Sequence, residues 1–114
     1  MNLVSIQIIF LQDIARLIQY AASIGIFLTA GRAYSTSEEQ RAYYDKKLSK
    51  TLNSQHCNRL AMDFNFFRVD DGKTISVDDK KTLQPLADYW CGLDQKNTCG
   101  LIWGWDFYHF ERKV

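Results

Sequence analysis

One histidine and one aspartate lie seven residues apart in the segment S-Q-H-C-N-R-L-A-M-D, which spans residues 54–63. They are His56 and Asp63, and the second of the chain's two histidines, His109, lies near the C-terminus. Two imidazoles and one carboxylate form a ligand set that catalytic zinc uses, with the fourth position left open. The three residues are therefore candidates for a metal site, provided that the fold brings them together.

The spacing of His56 and Asp63 requires a turn between them. Seven residues span about 23 Å on an extended strand and about 10 Å on a helix. Neither separation lets both side chains reach one ion at about 2.1 Å. Cys57, Asn58 and Arg59 can form the turn, because Asn tolerates turn conformations. We expect a strand to begin just after them and to carry the aspartate.

Two carboxylates accompany the C-terminal histidine. Asp106 precedes His109 by three residues, and beside a metal it can accept a proton from the attacking water and pass it to a leaving amine. Glu111 is the rival, since positions 109 and 111 share a face on a strand, and it can instead orient a ligand. On spacing alone, a surface histidine in a loop and a second histidine packed among core aromatics are the commoner interpretations.

The overall composition describes one globular domain without a strong charge bias. The chain has 114 residues, 46% of them hydrophobic, and a net charge of +1. That length fits a single domain, and the near-neutral charge argues against nucleic-acid binding. Cys57, Cys91 and Cys99 are odd in number and contain no C-x-x-C, so we expect reduced thiols.

The N-terminal segment is apolar but does not have the pattern of a targeting sequence. Its longest uninterrupted apolar run is Ile8 to Leu11, well short of the about 18 residues that a membrane span needs. No positively charged segment precedes this run, as a signal peptide requires. We therefore expect neither a signal peptide nor stable membrane insertion.

The same segment predicts a helix over about residues 4–23 that ends near Gly25. Apolar residues recur in it at spacings of three and four, which predicts a buried face. That face comprises Ile8, Leu11, Ala15, Ile18 and Ala22, widened by Ile14 and Leu17.

The remaining elements predict an α+β fold with a small antiparallel sheet and helices packed on it. Residues 26–34 read as a strand that Gly31 can break. Ser35 to Ser37 precede two glutamates in the way that begins a helix, and residues 38–48 read as a short, charged, solvent-facing helix. Residues 47–53 read as a loop, and a strand follows from near Leu60. A turn at 70–73 leads into a returning strand at 74–77.

A last helix and a last strand complete the predicted fold. Asp78 or Asp79 can cap the helix, which we place from near Leu83 so that Pro85 lies in its first turn. Its predicted inner face comprises Leu86, Tyr89, Trp90 and Leu93. Residues 95–100 read as a loop, and the aromatic-rich segment 101–111 contains the final strand.

Two motifs together resemble a known family. S-Q-H-C-N-R-L-A-M-D resembles the S-x-H-x-x-G-x-A-x-D signature of the zinc D-alanyl-D-alanine carboxypeptidases and dipeptidases. That family includes VanY-like and VanX-like enzymes and phage L-alanyl-D-glutamate endopeptidases (endolysins). D-F-Y-H-F-E is similar to the second signature, in which an acidic residue precedes the last zinc histidine by three. The resemblance covers nearly the whole chain and extends to the phage-type segments R-L-A-x-D and D-Y-W-C-G-L.

The resemblance implies a single zinc peptidase domain over residues 1–114, with a hedgehog/DD-peptidase-like fold. The implied zinc ligands are His56, Asp63 and His109, with Asp106 as general base and acid. Ser54 would contact a ligand or the substrate, with a simple turn hydroxyl as the alternative.

Two tryptophans near the second motif have two possible roles. Trp103 and Trp105 would line the substrate cleft, or they would pack in the core.

The chain departs from the family at two positions. Arg59 stands where the first signature has glycine, although the phage branch tolerates arginine there. The upstream family pattern G-x-A-Y-R-T appears as G-R-A-Y-S-T, so Ser35 replaces an arginine that would bind substrate or stabilise the oxyanion. Loss of such a partner can cost about 10²–10³-fold in rate. Arg32 and Arg59 are the candidate substitutes, but on a strand Arg32 would face the opposite side.

The implied activity is hydrolysis of a bond in the peptidoglycan stem peptide. The phage-type features favour an L-alanyl-D-glutamate endopeptidase, with a D-alanyl-D-alanine carboxypeptidase as the alternative. A catalytically impaired zinc domain that binds cell-wall peptide, or a plain domain without metal, also remains open. We expect a monomer that is made in the cytoplasm and reaches the cell wall after release or by another delivery system.

Overall fold

The computed structural model describes residues 1–49, 51 and 53–114. The predicted loop at 47–53 therefore lies partly outside the described residues, at positions 50 and 52. The elements in chain order are α1 (Leu3–Ser23), β1 (Phe27–Ala30), α2 (Ser37–Asp45), a 3₁₀ helix (Gln55–Asn58), β2 (Ala61–Asp70), β3 (Lys73–Val77), α3 (Lys80–Leu93), β4 (Asn97–Cys99), α4 (Gly100–Trp103) and β5 (His109–Arg112).

Strand β2 is the centre of an antiparallel sheet. Its first three residues pair with β5, while its later residues pair with β1 and with β3. Strand β4 then pairs with β5, which gives the order β1-β2-β5-β4. The β2–β3 hairpin turns at Asp71 and Gly72, which both have positive φ angles. This architecture confirms the predicted α+β class and the predicted hairpin.

Of the face predicted for helix α1, only Ile14 and Leu17 are buried. Asn2 caps its N-terminus, and Gly25 follows its C-terminus with φ +81°. Phe10 packs edge-on against Trp90, with 5.7 Å between ring centroids. The buried residues are Ile6, Phe10, Asp13, Ile14, Leu17 and Ala21. The predicted stripe of Ile8, Leu11, Ala15, Ile18 and Ala22 is exposed instead.

By length and composition alone, α1 is also apolar enough to cross a membrane. Core helices of soluble proteins and signal sequences meet the same criterion. The absence of membrane insertion therefore remains a prediction.

Strand β1 ends at Ala30, so the break offered at Gly31 is present and the strand does not reach residue 34. Two other predicted boundaries were wrong. Helix α3 begins at Lys80, because the Asp79 side chain accepts a hydrogen bond from the Thr82 N–H, and Pro85 is consequently its sixth residue. The predicted loop at 95–100 contains β4, whose short N-T-C sequence lacks the apolar alternation typical of a strand.

Helix α3 fixes the strands that carry the C-terminal motif. Trp90 is fully buried, and its ring lies 5.9 Å from that of Phe110 on β5. Its Nε1–H donates to the Thr98 carbonyl at 2.9 Å and to the Glu111 carbonyl at 3.1 Å. A buried indole N–H needs such partners, so these bonds tie α3 to both β4 and β5.

Candidate metal centre

Three elements bring the two histidines and the aspartate together. His56 lies on the 3₁₀ helix, Asp63 on β2 and His109 on β5. One potential ligand atom from each lies within 4.8 Å of the others. Asp63 Oδ1 is 2.9 Å from His109 Nδ1 and 3.3 Å from His56 Nε2. Both histidines are buried.

The turn before β2 orients His56. Ser54 Oγ accepts a hydrogen bond from the His56 N–H at 3.1 Å, and Arg59 closes the turn with φ 58°. The predicted turn is thus present, although Arg59 rather than Asn58 adopts the left-handed conformation. His56 Nδ1 lies 2.6 Å from the Ala33 carbonyl, which can only accept. Nδ1 is therefore protonated, and Nε2 is the ring nitrogen that faces the cluster.

The backbone on both sides of Asp63 holds the carboxylate in place. The Asp63 N–H donates to the Arg32 carbonyl, and the Gly31 N–H donates to the Asp63 carbonyl, both at 2.8 Å. A Cβ on Gly31 would lie 3.1 Å from the Asp63 carbonyl oxygen, which is tighter than ordinary packing. Glycine at position 31 therefore permits this close approach.

Glu111 orients the third candidate ligand. Its Oε1 lies 2.8 Å from His109 Nε2, as the shared strand face of positions 109 and 111 predicts. With Nε2–H donated to this carboxylate, Nδ1 is left facing Asp63. Trp103 covers the same imidazole, with 5.2 Å between ring centroids.

The three side chains form a strongly coupled charge cluster when no metal is bound. Burial by itself would raise the pKa of Asp63, but hydrogen bonds with His109 and His56 outweigh it and lower the pKa to about 2. Burial would likewise lower the pKa of His109, but its bonds to Asp63 and Glu111 raise the pKa to about 9. Near neutral pH, the proton on His109 Nδ1 therefore lies between this nitrogen and Asp63 Oδ1, where a metal ion would bind both atoms.

The donor set and its spacing fit a metal ion. Ligands of a tetrahedral zinc ion at about 2.0–2.1 Å lie about 3.3 Å from one another, close to the 2.9 and 3.3 Å found around Asp63. Each histidine has its other ring nitrogen held by an acceptor, the Ala33 carbonyl and the Glu111 carboxylate. Such partners are typical of metal-binding histidines.

The cluster lines a cavity of about 420 Å³. Its other lining residues come from the loops around the sheet and from the C-terminal motif. They are Arg32, Leu48, Ser49, Thr51, Trp103, Trp105, Asp106 and Glu111.

A close backbone approach places Asp106 in this cavity. Asp106 has φ 54°, and its carbonyl accepts a hydrogen bond from the His109 N–H at 3.1 Å. A Cβ on Gly100 would lie only 1.7 Å from that carbonyl oxygen, so the loop needs glycine there. Burial and the negative charge of Asp63 raise the pKa of Asp106 against the opposing effect of nearby positive groups.

Arg32 also lines the cavity, contrary to the expectation that it would face away. Strand alternation does not apply to it, because β1 ends at Ala30. Its Nε–H donates to Ser35 Oγ at 2.6 Å, a second N–H donates to Gln40 Oε1, and its guanidinium lies 4.3 Å from the centre of the Tyr43 ring. Ser35, where the sequence resemblance leads one to expect an arginine, thus supports an arginine from elsewhere.

The structure does not bring every predicted contact residue to the cavity. Arg59 lies over the Tyr34 ring, 3.9 Å from its centre, and lines a different cavity. Ser54 acts on the backbone of the turn, which matches the turn-hydroxyl alternative. Trp103 and Trp105 both line the cavity, with ring centroids 5.6 Å apart.

Two supporting residues were missed from the sequence. Gln40 was assigned to a solvent-facing helix, but it is fully buried beneath Arg32. Gly100 was assigned to a loop without a role. Its only available signal was a glycine directly before an apolar run, since glycine marks close backbone approaches.

Comparison with known proteins gives a likeness in fold. No family model matches the sequence, and no curated protein matches it. Among solved structures, the chain is similar to the L-Ala D-Glu endopeptidase ChiX of Serratia marcescens, with a TM-score of 0.63 and 18% identity. The likeness covers 90% of this chain and 79% of the endopeptidase chain. At that identity it shows that the two proteins share a fold.

Proposed function

We propose that this chain is a zinc-dependent peptidoglycan peptidase that hydrolyses the L-alanyl-D-glutamate bond of the stem peptide. The observation that carries the proposal is the convergence of His56, Asp63 and His109 in one cavity with Asp106. The fold shared with an L-Ala D-Glu endopeptidase supports the same conclusion. His56 Nε2, an Asp63 oxygen and His109 Nδ1 would hold the ion.

Asp106 is suited to moving the proton in this reaction. A bound zinc ion supplies a Lewis acid for the scissile carbonyl and lowers the pKa of water. Asp106 takes a proton from the attacking water and delivers it to the amine that leaves when the peptide bond breaks. Its burial raises its carboxyl pKa, which favours the protonated form needed for the second step.

Arg32 brings a positive charge to the cavity. Its bonds to Ser35 and Gln40 and its stacking on Tyr43 fix the guanidinium before substrate arrives. We assign it to a substrate carboxylate or to the developing oxyanion, the role that the family gives to the arginine missing at position 35. Preorganised donors of this kind contribute strongly because they need no rearrangement during the reaction.

The alternatives differ in turnover and in the bond cut. An impaired binding domain was suggested by the serine at position 35, but Arg32 in the cavity favours an active enzyme. A D-alanyl-D-alanine carboxypeptidase would present a terminal carboxylate to the same arginine. The identity of the released product therefore has to separate the two peptidases.

The test is digestion of purified peptidoglycan by zinc-loaded protein, followed by mass spectrometry of the released fragments. Cleavage of this amide should leave L-alanine with a free carboxylate and release a peptide fragment that carries a new D-glutamate amino group. Release of D-alanine instead would establish the carboxypeptidase. Asp106→Asn should abolish release while it retains zinc, and Asp45→Asn, an exposed aspartate on α2, is the matched control. No release above the Asp106→Asn background would refute the enzyme.

A further inference from the structure

Helix α1 carries a second apolar face that points away from the core. Val4 and the five residues of the wrongly predicted inner stripe form this face, which we call the outer seam. Its members are Val4, Ile8, Leu11, Ala15, Ile18 and Ala22, and all six are exposed. Val4 is 63% exposed, Ile8 and Leu11 are 58% exposed, and Ile18 is 42% exposed.

The spacing along the outer seam is that of a coiled coil. Successive members are separated by four, three, four, three and four residues, the repeat that places one apolar stripe of a helix against another helix. The seam is about 27 Å long. A partner helix with the same repeat can therefore contact it along nearly all of α1.

The order of large and small side chains makes the seam complementary to itself in the antiparallel direction. In an antiparallel pair of α1 helices, the residues that face each other are those whose residue numbers sum to 26. The pairs are Val4 with Ala22, Ile8 with Ile18 and Leu11 with Ala15. A large residue thus faces an alanine in the end layers and in the two central layers, and isoleucine faces isoleucine in the layers between them. Pairing large side chains with small ones fills a helix interface without gaps. A parallel pair would instead place alanine against alanine twice.

Charge also fits a second copy better than a membrane surface. Asp13 and Arg16 are the only charged residues of α1, and they pair with each other at 3.0 Å. Interfacial membrane helices are rich in Lys and Arg on their polar face, whereas the seam is flanked by the neutral residues Ser5, Gln12 and Gln19. The two helices therefore meet without like-charge repulsion between their own residues, and their dipoles oppose favourably. Outside α1, Arg59 is a cation beside the seam, since it lines a cavity together with Leu11.

We propose that the outer seam of α1 is an interface between two copies of this chain, packed as an antiparallel helix pair about a two-fold axis. Each copy presents the same surface, as a two-fold dimer requires. The proposal replaces the expected monomer. It does not depend on the metal centre, because none of the seam residues lines that cavity.

Sedimentation velocity across a concentration series tests the interface. The wild-type protein should shift from monomer to dimer between about 10 μM and about 1 mM, the range of a weak specific contact. Leu11→Lys should weaken dimerisation at least tenfold while circular dichroism stays unchanged. Val69→Lys makes the same kind of change at a site that is 56% exposed on the β2–β3 hairpin, and it should dimerise like wild type. If Leu11→Lys fails to fold, Ala15→Lys takes its place.

Mixing two variants tests the antiparallel register. Ile8→Lys and Ile18→Glu should each weaken the homodimer, and an equimolar mixture should recover dimer, because the new lysine faces the new glutamate. A wild-type protein that stays monomeric at about 1 mM would overturn the proposal. So would a monomer that binds phosphatidylcholine–phosphatidylglycerol vesicles and loses that binding on Leu11→Lys, since the seam would then be a membrane surface.

Discussion

Asp63 on β2 and His109 on β5 are directly opposite residues in an antiparallel pair, and Asp63 Oδ1 lies 2.9 Å from His109 Nδ1. Opposite residues of such a pair have Cβ atoms about 4.5–5.5 Å apart, so the sheet itself holds these two groups together. His56 joins them from the turn before β2. The cluster thus depends on strand register rather than on flexible loops.

We expect metal binding to release a proton from His109. Its pKa of about 9 in the metal-free protein means that the imidazole is protonated near neutral pH, whereas Asp63, with a pKa of about 2, is already ionised. A metal ligand must be deprotonated, so zinc affinity should rise about tenfold per pH unit between about pH 6 and pH 8. Calorimetry in buffers of different ionisation enthalpy counts the proton, and an affinity independent of pH over that range contradicts the assignment.

The same shifts predict the pH dependence of stability without metal. The pKa of His109 is raised from 6.5 to about 9, so its contribution is complete below pH 6.5 and is lost as pH rises through 9. The pKa of Asp63 is lowered from 3.8 to about 2, so its contribution is complete above pH 3.8 and is lost as pH falls through 2. The two pKa shifts arise from one shared interaction between His109 and Asp63, so their contributions to the free energy of unfolding do not add. Urea unfolding with a chelator present should show the greatest stability between about pH 4 and pH 6.5.

Removal of the charge on Glu111 should weaken metal binding while the fold persists. Glu111→Gln keeps an acceptor for the His109 Nε2–H but loses the carboxylate, and such outer partners are worth about 10–100-fold in metal affinity. Competition with a chromophoric chelator measures the effect. Glu38→Gln, at an exposed position of α2, should bind metal as wild type does. Equal affinities of the two variants would exclude an orienting role for Glu111.

The sequence located the candidate ligands because their motifs are local, but their meeting depends on long-range pairing. The turn after His56 follows from a distance argument, whereas the register of Asp63 against His109 is a property of the folded sheet. Ligand roles for these residues remain predictions. The face of α1 was wrongly predicted because the helix has two apolar stripes, and periodicity alone does not say which of them carries the core.

The position of Arg32 could not be predicted because strand alternation fails where a strand ends. Residues 26–34 have the composition of one strand, but β1 stops at Ala30 and the chain beyond it bends towards the cavity. Gln40, which holds Arg32, lies on a helix that is otherwise mostly polar. One buried amide on such a helix has no signature in the sequence.

Gly100→Ala should displace Asp106 and reduce activity while the metal ligands remain. The new Cβ would lie 1.7 Å from the Asp106 carbonyl oxygen, so the loop must move, at a cost of about 1–3 kcal/mol. Gly92→Ala is the matched control, because a Cβ there meets nothing within 4 Å and alanine favours a helix by about 1 kcal/mol. Metal content, thermal unfolding and peptidoglycan hydrolysis are measured together. Full activity in Gly100→Ala would show that the position of Asp106 is unimportant.

Arg32→Ala should slow hydrolysis by about 10²–10³-fold and leave metal affinity nearly unchanged. The guanidinium lines the cavity. Asp63 is held by two backbone hydrogen bonds, from the Gly31 N–H and to the carbonyl of residue 32. Neither bond needs the arginine side chain, so the metal ligand should stay in place. Arg59→Ala removes an arginine that stacks on Tyr34 outside the cavity, so its activity should match wild type. Arg32→Lys keeps the charge but loses the planar fork held by Ser35 and Gln40, and it should recover only part of the rate. Equal rates for Arg32→Ala and Arg59→Ala would mean that the replacement for the family arginine lies elsewhere.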